Sequence, residues 1–157
     1  MKRILLKFLT ISIEDTSPED MEHALRVATA VLLVEIARAD FVVEAAEQAR
    51  LRELLRSQFR LDDSELDELL EEAEADADRL VSIQHTTRLL NEHYDHDMKR
   101  RVVEMMWHLV YADGEKSHYE EHLIRQVADL LYLSQAEFIQ ARHRAEAGAP
   151  NIPQSAG

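Results

Sequence analysis

The stretch Val27-Ala28-Thr29-Ala30-Val31-Leu32-Leu33-Val34-Glu35-Ile36-Ala37-Arg38-Ala39-Asp40 reads as the end of a buried helix. It is apolar nearly all round. A helix without a polar face belongs at the centre of a fold rather than on its surface. Ser17, Pro18 and Asp20 supply the start: a capping hydroxyl, proline at the first helical position and an acid in the first turn. One helix from Pro18 to about Ala39 follows. A second stretch of the same kind runs through Val102, Val103, Met105, Met106, Trp107, Leu109 and Val110 into Ala112-Asp113, with Asp95 placed to cap it.

The correspondence continues outward. An offset of 73 pairs Glu47 with Glu120, Leu51 with Ile124, Leu54 with Val127 and Phe59 with Tyr132. After one inserted residue, an offset of 72 pairs Leu61 with Leu133, Asp62 with Ser134, Glu65 with Glu137 and Leu66 with Phe138. Each half reads as a buried helix, an Ala-Asp loop, an amphipathic helix, a short turn and a capped helix. Periodicity gives helices over about 44–59 and 64–77, with the acids of the latter outward, and a linking helix over about 79–92. Ser117 with Glu120, and Ser134 with Glu137, form capping boxes. One half cannot cover its own apolar face, so the two pack together about a pseudo-two-fold axis. The expected fold is all-α: a compact bundle of seven to eight helices from two pseudo-symmetric halves, about 18–78 and 95–148. They form a single domain over 1–148, followed by a disordered polar tail over 149–157. Only 3 Gly and 3 Pro interrupt the chain, too few for the turns of a sheet-rich fold.

The 157 residues carry a net charge of −13. Ten of the carboxylates fall between Asp62 and Asp78, a stretch with no Lys or Arg, so the acidity is local. Nucleic acid is excluded as a partner because it needs a basic footprint. Cations and a basic protein surface are the better matches. No Cys is present, which excludes disulfides and thiolate ligands. No apolar run is long enough for an integral membrane segment. Lys2, Arg3 and Lys7 flank Ile4, Leu5, Phe8 and Leu9. Lys7 interrupts the apolar stretch and Glu14-Asp15 follow it, so this is not a secretory signal and the expected location is cytoplasmic. The segment reads as a short helix packed on the body, or as a peripheral membrane contact through residues 2–13.

Three constellations invite chemistry. Asp40, Glu44 and Glu47 in one half, and Asp113, Glu115 and Glu120 in the other, offer oxygen ligands suited to Ca²⁺, Mg²⁺ or Mn²⁺. The spacing is not that of an EF-hand, and helix capping by Ser117 and termination at Asp113-Gly114 account for several of these residues without any ion. Next, His118, Glu121 and His122 spell H-x-x-E-H, a zinc-peptidase string that would require a further ligand. The first-half counterparts of the two histidines are Ala45 and Ala49, so the scaffold does not need them. Lastly, Glu35 and His108 occupy equivalent positions, each alone in an apolar run, and form a candidate buried polar pair. The acids of 62–78 read as a solvated helix face or a docking surface.

Tyr111-Ala112-Asp113-Gly114-Glu115 with Glu120 and the run Leu123 to Leu131, and the first-half copy from Leu32 to Asp40 with Glu47, resemble the TerB tellurite-resistance family. The resemblance covers about Met21 to Glu146, and Trp107, Phe138 and Arg142 match its stand-alone branch. It implies an all-α fold, a divalent-cation site of acidic loop residues and an association with metal or chemical stress. A similar domain opens a membrane-anchored co-chaperone, which implies an interaction role. The first copy departs from the pattern: Phe41 stands where the family usually has Gly, disfavouring a left-handed turn after Asp40. Together these features describe a non-catalytic, stress-associated cation-binding protein. A co-chaperone-like interaction module using 62–78 is the alternative, and a zinc peptidase the outsider.

Overall fold

The computed structural model describes residues 17–38, 45–78, 83–112 and 118–147. Among these it contains seven helices and no strand: α1 (Pro18–Ala37), α2 (Ala45–Phe59), α3 (Asp63–Asp78), α4 (Ile83–His93), α5 (His96–Val110), α6 (His118–Leu130) and α7 (Gln135–Ala147). The segments 1–16, 39–44, 79–82, 113–117 and 148–157 lie outside the described residues, and with them the reading of Ile4 to Leu9 and of the tail.

α1 is central, as its composition demands. Every residue from Val27 to Val34 is buried. It packs against α2, α3, α4, α5 and α6. α5 is the second hub, burying Val102, Val103 and the run from Met105 to Val110, and it packs on α1, α2, α6 and α7. Both helices start as expected: the Ser17 hydroxyl accepts from Asp20 N–H at 3.1 Å, and Asp95 accepts from Met98 N–H at 2.8 Å. They stop two residues earlier than expected, at Ala37 and Val110, because Arg38 and Tyr111 act as the C-caps.

Several local devices occur twice at fixed spacing. The Arg38 N–H donates to the carbonyls of Val34 and Ile36, and the Tyr111 N–H to those of Trp107 and Leu109. Arg60 (φ 55°) and Tyr132 (φ 64°) each end a helix in the left-handed region. The next N–H then reaches back, Leu61 to Arg56 O at 3.1 Å and Leu133 to Ala128 O at 3.0 Å. Reciprocal capping boxes follow, Asp62 with Glu65 and Ser134 with Glu137. The backbone thus matches Arg60, not Phe59, with Tyr132, and Arg56 with Ala128, so the extra residue lies ahead of Arg56.

Side-chain contacts fix the direction of the hubs. In the first half of α1, Arg26 lies over Phe59 at the end of α2. At the same end of α2, Gln58 meets Met98 and Arg101 near the start of α5. Farther back on α2, Arg50 meets His108 near the end of α5. α2 therefore runs antiparallel to both hubs, and α1 and α5 run in the same sense. Their C-caps, Arg38 and Tyr111, lie at one end of the molecule, where α2 and α6 begin.

Candidate functional site

That shared end carries acidic residues of both halves. Glu47 and Glu120 lie there in the first turns of α2 and α6, where a carboxylate complements the helix dipole. Both are buried, at 1% and 4% exposure, and both are engaged within the fold. Sequence pattern alone marked them as acids on amphipathic helices and gave no hint of such deep burial. Asp40, Glu44, Asp113 and Glu115 lie outside the described residues, as does Ser117. Among the described residues, no group of three or more His, Asp or Glu is arranged to hold a metal ion.

His108 has charged partners on α2 and on its own helix. Nδ1 of His108 lies 3.2 Å from the Arg50 guanidinium, and Nε2 lies 3.5 Å from Glu104, one turn earlier on α5. Glu104 also holds Arg101 at 2.9 Å and lies 4.0 Å from Arg144 of α7. Burial and the neighbouring Arg50 push His108 below the usual histidine range; Glu104 opposes them. Glu35 itself is half-buried and engaged. The sequence reading did not mark Glu104, although it stands four residues before His108, at the spacing that brings side chains together on a helix.

Tyr111, which caps α5, is fastened to α7. Its hydroxyl donates to Glu146 at 2.9 Å and accepts from Arg142 Nε at 3.0 Å. Its ring stacks on Trp107 at 5.9 Å, Phe138 meets Trp107 edge-on at 5.5 Å, and the Arg142 guanidinium lies 5.4 Å from the Trp107 ring. The end of α5, two residues before Asp113, is therefore pinned by a second helix.

The acidic helix α3 departs in part from the outward-facing expectation. Glu68, Glu71 and Glu74 are exposed, while Glu72 and Asp76 turn inward and are 7% and 0% exposed. Glu72 meets His23 of α1 at 3.1 Å. Burial pushes its carboxyl above the usual range, His23 pulls it back, and Asp76 and Glu68 add to the rise. Of the zinc-peptidase string, Glu121 is half-buried and His122 exposed, and the side chain of His118 is outside the described set.

An all-α domain with two buried first-turn glutamates at one end, and capping devices spaced 72 to 73 residues apart, defines a narrow class of helical module. The chain matches the family described as "Tellurite resistance protein TerB" over residues 26–143, and it belongs to that family. Neither the curated proteins nor the solved structures yield a match. No helix among the described residues is long and apolar enough to cross a membrane.

Proposed function

We propose that this TerB-family protein is non-catalytic and binds a divalent cation through acidic residues of its two halves. The observation that carries this reading is directional. α1 and α5 run in the same sense, so the helix ends flanking residues 39–44 and 113–117 share one end of the molecule. Opposite directions would have parted them. The donor chemistry fits a hard ion. Glu47 and Glu120 are carboxylates held out of solvent beside those helix ends, and Asp40, Glu44, Asp113 and Glu115 would complete an oxygen set for Ca²⁺, Mg²⁺ or Mn²⁺. Recurrence of caps, left-handed turns and capping boxes supports a duplicated unit. The family's link to tellurite supports a stress-associated role; with no thiol, the chain does not reduce tellurite by cysteine chemistry.

Calorimetric titration of the whole chain with Ca²⁺, Mg²⁺ and Mn²⁺ tests the reading. Saturable binding is expected for at least one ion, lost when Asp113→Asn and Glu115→Gln are combined. Flat isotherms for all three would overturn it. A second reading, an interaction module, is favoured by Glu68, Glu71 and Glu74, which form an exposed acidic face with no ion pair among the described residues. Partner capture abolished by replacing those three with Gln, with cation binding absent, would select it instead.

A further inference from the structure

At the end opposite the C-caps of α1 and α5 lies a cleft of about 290 Å³. It is bounded by α1, the last turn of α2 and the Tyr94 turn before α5. Its lining contrasts with a chain of net charge −13. Phe59, Tyr94 and Met98 supply aromatic and thioether surface, and Arg26 and Arg60 two guanidiniums, against the single carboxylate of Glu22. Most of these polar groups are already committed. Arg26 holds Glu22 at 2.7 Å and lies 5.6 Å from the Phe59 ring centroid. The Tyr94 hydroxyl lies 3.2 Å from the Thr29 hydroxyl and 3.5 Å from the Leu25 carbonyl. Burial pushes that phenol up, so it stays protonated and adds no negative charge.

Arg60 differs. It is exposed, has no ion pair among the described residues, and is held at φ 55°, where glycine would be unstrained. Its guanidinium is therefore open to an anion at the mouth of the cleft. We propose that the cleft binds a small aromatic carboxylate, its ring against Phe59, Tyr94 and Met98 and its carboxylate on the Arg60 guanidinium. A planar guanidinium matches a carboxylate in two parallel hydrogen bonds. Aromatic and thioether surface suits a ring. The volume lies at the small end for ligand pockets and suits a single ring. This site is separate from the cation reading and stands without it.

Benzoate is the probe, titrated into the isotopically labelled full chain and followed by NMR. Saturable shifts centred on Leu25, Arg26, Phe59, Arg60 and Met98 are expected, with acetate and benzyl alcohol binding more weakly. Arg60→Gly removes the guanidinium where the backbone favours glycine. It should weaken benzoate binding about tenfold or more while leaving Tm unchanged or raised. Glu22→Gln removes the competing carboxylate and should tighten binding. No saturable shift at the cleft would overturn the proposal. Equal binding of benzyl alcohol, or undiminished binding by Arg60→Gly, would do the same.

Discussion

His108 sits between the guanidinium of Arg50 and the carboxylate of Glu104, with Arg101 adding a second positive charge. Burial and the arginines keep it neutral in the fold, with a pKa below the ordinary 6.5. The unfolded chain therefore takes up this proton first. Stability from the site is fully present above about pH 6.5 and is lost as pH falls toward the folded value. His108→Gln should flatten the fall in urea midpoint between about pH 7 and 5; an unchanged slope would show that other groups set it. Glu72 works in the opposite direction. Its folded carboxyl titrates above the ordinary 4.5, so stability falls as pH rises from 4.5 toward the folded value. Tyr111 is the other informative single residue. Tyr111→Phe removes the hydroxyl that joins Arg142 to Glu146 and should cost about 1 kcal/mol in denaturant unfolding. A change near zero would mean that the two charged side chains close on each other across their present 3.8 Å.

At the scale of elements, capping boxes and left-handed ends decide where α2 and α6 stop and where α3 and α7 start. Asp62→Ala and Ser134→Ala should each cost about 1 kcal/mol, read from thermal or urea unfolding. The two caps share no hydrogen-bond partner, so the double variant should lose close to the sum. A markedly larger loss would mean that the two turns act as one cooperative unit. These elements were the most legible part of the chain. Ser17, Asp95 and Ser134 declare themselves by residue type and spacing, and α1 by its unbroken apolar run. The last turn of α2 was less legible. Both Arg60 and Tyr132 adopt a conformation usually signalled by glycine, and neither residue type announces it.

For the whole molecule, the fold was readable because two hubs too apolar for any surface must pack together. The sites were harder to read. Glu47 and Glu120 were recognisable as paired acids, but their burial depends on where the first turns of α2 and α6 meet the core, and no local pattern encodes that. Glu72 and Asp76 were hidden among ten carboxylates, eight of which read equally well as solvated. The cleft at Phe59 and Tyr94 joins residues 35 apart, drawn together only by packing. The common direction of α1 and α5 has a further consequence. Pro18 begins α1 at the cleft pole, whereas Glu146, bonded to Tyr111, brings the last turn of α7 to the other. The described ends of the helical body, Pro18 and Ala147, therefore lie at opposite poles. A spectroscopic label fixed beside either of these residues reports on its own pole and leaves the other undisturbed.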